Sequence, residues 1–266
     1  MKGKHETNKK INKKLRILLI IIFSIIFISS ICYIIFHFYT QWINKKDMEE
    51  LSKWINENNT TENIENGEED KNNKILLQKL QELKKENSDL IGWLKLEDTN
   101  IDYPVVQTTD NDYYVRRSFK KKYSELGTIF LDMDCSVTKP TANFLIYGHR
   151  SKGGQMFETL TKYKEESFYK KHKTFKFATL DEVSEYKIIS IFQSKIYYKN
   201  QDVFKFYFFK DAKNEDEFNN YIENIKKLSM YEIEDTANYG DQLITLTTCD
   251  YYVENGRFVV VAKKIN

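Results

Sequence analysis

The sequence predicts a mostly β domain with helices, built as a barrel or sandwich and preceded by one transmembrane helix. Residues 17–36 are twenty consecutive uncharged residues dominated by Ile, Leu and Phe. Beyond residue 90, short runs rich in β-branched and aromatic residues recur at the density of a barrel or sandwich. Two helix-length segments interrupt those runs.

At ~1.5 Å per residue the apolar run spans about 30 Å, the thickness of a bilayer core. Seven bases (Lys2, Lys4, Lys9, Lys10, Lys13, Lys14 and Arg16) and one acid, Glu6, precede it. Lys45, Lys46, Asp47, Glu49 and Glu50 follow it. The positive-inside rule then puts residues 1–16 in the cytoplasm, a transmembrane helix at 17–38 and everything later outside the cell. A cleaved signal peptide fits less well, because the run exceeds a normal h-region and Phe36-His37-Phe38-Tyr39 offers no small-residue cleavage site. A buried core helix is the plain alternative, but no other part of the chain is similarly apolar.

The anchor divides the charge. The chain has 41 bases and 39 acids, a net +2. Residues 1–40 hold 7 and 1 of these, which leaves 34 and 38, or −4, for the remainder. The exported part therefore lacks the basic excess that nucleic-acid binding needs. The tail's lysines set topology and suit anionic lipid.

Residues 39–73 read as an extracellular stalk. A short amphipathic helix fits 41–56, and 57–73 are polar, acidic and nearly free of large apolar groups, too little to repay ordering entropy. The folded exported domain is expected over 74–266. It opens on a helix whose Leu76, Leu80 and Leu83 share one face. Strands are expected at 92–96, 101–106, 128–131, 143–147, 174–179, 186–192, 243–248 and 258–262. Helices are expected at 155–171 and 215–229. The second carries a stripe of Phe218, Tyr221, Ile222, Ile225 and Leu228, with Asn214 placed to cap it and Glu217 three residues on, as in a capping box. The stripe is most simply core packing.

Chemistry concentrates at Cys249, which ends the apparent strand Gln242–Thr248 and lies eight positions before Arg257. Of the three cysteines, Cys32 lies in the membrane span, so only Cys135 and Cys249 could pair outside, and their count leaves a bridge open. Strand alternation puts Thr245, Thr247 and Cys249 on one face, as a polar groove would require. A free thiol is only a few per cent thiolate at neutral pH, and an adjacent His⁺ or Arg⁺ raises that fraction. An isolated cysteine is more often a small buried hydrophobe, and a strand-start arginine a surface charge. Two histidines remain for the exported part. His149 follows the apolar run 143–147 and Gly148, which suits a rim, whereas His172 sits among Lys170, Lys171 and Lys173 like a solvated helix end. Geometry adds one constraint. A tight Asn255-Gly256 hairpin would pair Cys249 with Ala262, about 16 Å along the strand from Arg257. Contact between Cys249 and Arg257 instead requires an open loop over 250–256.

These residues together resemble the sortase family. Thr245-Leu246-Thr247-Thr248-Cys249 is similar to its TLxTC motif, and Tyr147-Gly148-His149 and Arg257 complete its Cys-His-Arg set. Residues 101–106, 111–115, 127–132, Met156-Phe157, Ser167-Phe168-Tyr169 and the helix 215–229 look like class B members in particular. The resemblance implies an eight-stranded barrel with N-terminal helices and a long helix between strands 6 and 7. It implies a cysteine transpeptidase of Gram-positive cell walls. Cys249 would attack a C-terminal sorting motif of secreted proteins, giving a thioester that a peptidoglycan amine (or a pilin lysine in some relatives) resolves. His149 would serve as acid and base, and Arg257 as oxyanion donor. Asn111, Val115 and Thr247 match substrate-groove positions, Tyr198 and Phe204 join them, and the helix 215–229 would form a groove wall. The family often has Ser where Thr247 stands. No cofactor or metal is implied, and the calcium site of class A relatives is not suggested. A secreted Cys-His peptidase, or a non-enzymatic anchored β-domain such as an adhesin or pilus scaffold, would explain fewer of these features.

Overall fold

Eight strands, β1 (Leu90–Lys95), β2 (Asp102–Val106), β3 (Phe130–Leu131), β4 (Asn143–Tyr147), β5 (Thr174–Thr179), β6 (Val183–Lys195), β7 (Leu243–Cys249) and β8 (Gly256–Lys264), close into a barrel in the computed structural model. Their order is β1-β2-β3-β4-β7-β8-β6-β5. Closure leaves no sheet edge for another chain to pair with. The structure describes residues 13–57, 66–151, 153–198 and 200–266. β2 with β3 and β4 with β7 are parallel, and the other pairs are antiparallel. The barrel interior is packed with aliphatic and aromatic side chains, among them the fully buried Leu94, Val105, Ile146, Ile191 and Val260.

The chain divides into two compact units, one ending at Lys46 and one spanning Asp47–Asn266. Helix α1 (Lys13–Asn56) runs through the boundary. In the first unit its apolar residues are exposed, as at Ile20, Phe27 and Phe36. The helix is long and apolar enough to cross a membrane, with a mean hydropathy of 2.9 in its most apolar window. Most of the expected basic tail lies outside the described residues.

The expected stalk over 39–73 differs from what is found. Residues 39–56 continue α1, and in the second unit Met48 and Ile55 of this helix are buried. Ser52 and Asn56 donate to Asp102 Oδ2 at 2.6 and 2.7 Å, while Trp93 Nε1 donates to Oδ1 at 2.5 Å. These contacts hold the helix expected over 41–56 and offset its ordering entropy. Helix α2 (Asn66–Glu86) begins eight residues before the expected start at 74. Leu80 and Leu83 are buried and Leu76 packs against the core, and a helix so anchored extends outward at one hydrogen bond per residue. Residues 58–65 of the expected stalk lie outside the described residues.

The single helix expected at 155–171 is two elements. Phe157–Lys164 is a 3-10 run, Glu165 is extended, and α3 covers Glu166–Lys171. Buried Phe157, Leu160 and Tyr163 recur every three residues, which is the 3-10 period. Helix α4 (Glu215–Leu228) packs the stripe Phe218, Tyr221, Ile222 and Ile225 against the barrel, each burial stabilising by about 1.5–3 kcal/mol. Asn214 caps it by accepting from Glu217 N–H at 2.9 Å. The Glu217 carboxylate reaches one residue further back than a capping box requires, to Lys213 N–H at 3.0 Å.

Candidate active site

Strand register assembles the site. β4 and β7 pair in parallel with Tyr147 opposite Thr247, so two residues further on His149 comes level with Cys249. Gly148 N–H still donates to Thr247 O at 3.1 Å, which carries the ladder to that point. β7 and β8 pair antiparallel with Cys249 directly opposite Arg257. Neighbouring strands lie about 4.8 Å apart. The imidazole, thiol and guanidinium thus stand on three adjacent strands at one rim, with the thiol in the middle. The open loop expected over 250–256 is present, and the tight Asn255-Gly256 hairpin is not.

Two glycines permit this rim. A Cβ on Gly148 would lie 2.6 Å from the Phe157 ring and 2.8 Å from Ile129, so no other residue fits between β4 and His149. A Cβ on Gly256 would lie 2.1 Å from Asp250 O, the carbonyl that faces it where the loop closes.

A groove of roughly 320 Å³ opens beside the thiol. It brings together Cys249, His149, Arg257, Asn111, Val115 and Thr247. Phe130, Tyr147, Gly148 and Thr248 complete its lining. Thr247 Oγ1 and Thr248 Oγ1 are buried with no hydrogen-bond partner. Unpaired buried hydroxyls are costly, and of the two Thr247 shares the strand face of Cys249. Thr245 does not join them. Its hydroxyl donates to Asn143 Oδ1 at 2.9 Å and meets Tyr221 OH of α4 at 3.3 Å, so the polar face expected along β7 is divided between groove and core.

Three expectations fail. Tyr198 is 79% exposed in the segment after β6 and is not part of the groove. Phe204 packs against Tyr221 with ring centroids 5.8 Å apart and lines a separate shallow depression with Val203 and Phe208. β6 ends at this rim, with Lys195 opposite Gly256, and the chain beyond it brings Phe204 onto Tyr221 of α4. Helix α4 itself packs on β6 and contributes no residue to the groove lining. His172 also stays out of the site, stacked on Phe168 at 4.3 Å.

His149 Nε2 lies 2.8 Å from Val115 O. A carbonyl only accepts, so Nε2 carries the hydrogen and Nδ1 of the neutral ring is left to exchange protons. A backbone carbonyl thus orients the ring in place of the Asn or Asp side chain of a papain-like site. Burial lowers the His149 pKa below its ordinary value, the Val115 bond opposes this and Arg116 adds to the lowering. The ring is therefore mainly neutral at pH 7. Its stability contribution is complete above the unfolded value of about 6.5 and is lost as pH falls through the lower folded value. Arg116→Gln removes the cation, so the His149 ring protons should titrate at higher pH by NMR. An unchanged midpoint would exclude Arg116 as a cause.

Arg257 Nη1 donates to Gly256 O at 2.9 Å and to Asn255 O at 3.3 Å. No carboxylate pairs with it among the described residues, and it lines the groove. Cys135 and Cys249 are both free thiols. Cys135 is buried with its Sγ donating to Asn143 O at 3.3 Å, and burial pushes its pKa up to about 11.

Asp250, next to the thiol, was not singled out by sequence. It is buried, and its carboxylate meets Arg150 Nη1 at 2.9 Å, Lys164 Nζ at 2.9 Å and Gln193 Nε2 at 2.6 Å. Burial opposes ionisation, but the bonds from Lys164 and Gln193 and the charges of Lys164 and Arg150 outweigh it and hold the carboxyl below its ordinary pKa. The contribution is present above about pH 3.9 and is lost as pH falls through the lower folded value. Asp250 pins the loop between Cys249 and Arg257 to β6 and to the Phe157–Lys164 run. Asp250→Ala should cost about 2 kcal/mol in urea unfolding, below the loss for a wholly buried pair because both cations can reach water. No change in midpoint would show that the loop holds without it.

This rim is equipped for acyl transfer by a thiol, which places the chain among cysteine transpeptidases or thiol peptidases. Comparison with known proteins resolves the class. The sortase domain model matches residues 94–265. Sortase B of Listeria monocytogenes is 32% identical over 188 residues, which is 70% of this chain and 74% of that protein. The crystal structure of sortase B from Bacillus anthracis in complex with AAEK1 superposes with a TM-score of 0.69 at 31% identity, covering 86% of this chain and 99% of that one. A mutant form of Clostridium perfringens sortase B gives 0.71 at 27% identity, covering 84% and 98%. The chain belongs to the sortase family, and its relatives are of class B. It is a cysteine transpeptidase with the eight-stranded barrel of those structures.

Proposed function

We propose that the chain is a membrane-anchored transpeptidase that joins secreted proteins to a cell-wall amine. The tail 1–16 lies in the cytoplasm, residues 17–38 cross the membrane lipid, and the barrel works outside the cell. The observation that carries the reading is the alignment of His149, Cys249 and Arg257 on three neighbouring strands beside one groove.

The reaction follows from that order. Neutral His149 takes the proton of the Cys249 thiol, and Sγ forms a C–S bond to a backbone carbonyl in the C-terminal sorting signal of a client. Negative charge moves to the carbonyl oxygen, where Arg257 donates hydrogen bonds that strengthen as the charge develops. The C–N bond then breaks while protonated His149 gives its proton to the leaving amine. A thioester remains on Cys249. An amine of a peptidoglycan precursor or cross-bridge attacks it and passes a proton to His149, and the C–S bond breaks to return the thiolate. Asn111, Val115 and Thr247 hold the peptide, the Thr247 hydroxyl being unpaired within the protein.

Incubating the chain with peptides carrying candidate sorting signals, with and without a peptidoglycan-type amine, tests the reading. Ligated product that grows with amine concentration is expected. Hydrolysis unaffected by amine would assign a thiol peptidase instead.

A further inference from the structure

We propose that Asp132 is a positioning residue that sets the hydrogen-bonding character of the groove through Asn111. The inference rests on the groove being the peptide site. Asp132 follows β3, and its side chain is 2% exposed. Its Oδ2 accepts from Tyr147 OH at 2.8 Å and Asn111 Nδ2 at 3.1 Å, and faces Lys210 Nζ at 3.5 Å. Its Oδ1 accepts from Asp134 N–H at 3.0 Å. Asn111 and Tyr147 both line the groove. One buried carboxylate therefore gathers the turn carrying Asn111, the strand leading to His149 and the segment joining β6 to α4. Both of its oxygens bond within the protein and the side chain is buried, so it touches no reacting atom.

The neighbours of Asn111 fix which way its amide points. Met133 N–H only donates, and it lies 2.8 Å from Asn111 Oδ1. A carboxylate only accepts, so Asp132 takes one hydrogen of the Asn111 amide nitrogen. The Asn111 oxygen is thereby turned to the backbone, and its second N–H is left for the groove. Asn111 offers a donor there, and the peptide atom opposite it must be an acceptor, either a main-chain carbonyl or a side-chain amide oxygen. Without the carboxylate only Met133 N–H holds the amide, and the donor is less firmly presented to the groove.

The test uses the full-length chain in detergent micelles with a peptide selected from a library for wild-type turnover. Asp132→Asn should raise KM by roughly tenfold and leave kcat within about threefold, as expected when a ground-state contact is lost. In an Asn111→Ala background the same substitution should leave KM nearly unchanged, because the two act as one unit. Effects that multiply, or an unchanged KM in Asp132→Asn alone, would overturn the proposal. Proton exchange of the wild-type Asn111 side-chain amide, followed by NMR, tests the same geometry without a variant or a substrate. One proton should be protected and the other free, and equal exchange would overturn the proposal. Failure of the wild-type chain to turn over any library peptide would instead contradict the function on which the proposal stands.

Discussion

Cys249→Ala should abolish peptide turnover, with a loss of at least ~10⁴-fold, while the fold stays intact. Removing a nucleophile that forms the covalent intermediate leaves only binding and oxyanion contacts to catalyse the reaction. Cys249 is partly exposed at a strand end, so its removal leaves no cavity in the core. Cys135→Ala should behave in the opposite way, lowering the melting temperature and sparing activity, since that thiol is buried and hydrogen-bonded. Steady-state assays and thermal melts on the two variants separate these outcomes. A thiol-selective reagent at neutral pH should modify Cys249 quickly and Cys135 slowly, because burial and a raised pKa both protect the latter. Residual turnover in Cys249→Ala, or equal labelling of the two thiols, would remove Cys249 from the chemistry.

Arg257→Ala should lower kcat by about 10²–10³, with a smaller effect on KM. That split identifies a donor whose bonds strengthen as charge develops on the carbonyl oxygen. Its position directly opposite Cys249 and its lack of a carboxylate partner leave its donors available for that task. Lysine should restore little, because a compact ammonium cannot reproduce a planar fork held against Gly256 O and Asn255 O. A rise in KM at unchanged kcat would make Arg257 a substrate clamp only.

Much of the fold was legible where one periodicity governs a segment. The strands at 143–147 and 174–179 match their expected bounds, and the capped helix at 215 ends one residue short of its expected 229. The constraint that Arg257 could serve Cys249 only across an open loop is a property of strand register, and the 249–257 pairing satisfies it. The misreadings have a common physical source, because they depend on contacts distant in sequence. Residues 66–73, polar enough to read as linker, belong to α2, which the buried Leu80 and Leu83 anchor further on. Three aromatic and aliphatic residues at spacing three draw 157–164 into a 3-10 run that resembles a helix in sequence. Resemblance puts Tyr198 and Phe204 in the groove, whereas neither lines it and Phe204 packs on Tyr221 of α4. Asp132 and Asp250 gave no signal, since a buried carboxylate in sequence is indistinguishable from a solvated one until its donors are assembled around it.

Rapid-quench intact-mass spectrometry on the chain with a turned-over peptide, followed by peptide mapping, tests the thioester mechanism most directly. The expected result is a transient adduct equal to the acyl fragment, localised to Cys249, discharged by hydroxylamine and depleted as amine acceptor rises. Cleavage with no adduct at any time, or an adduct on another residue, would contradict it.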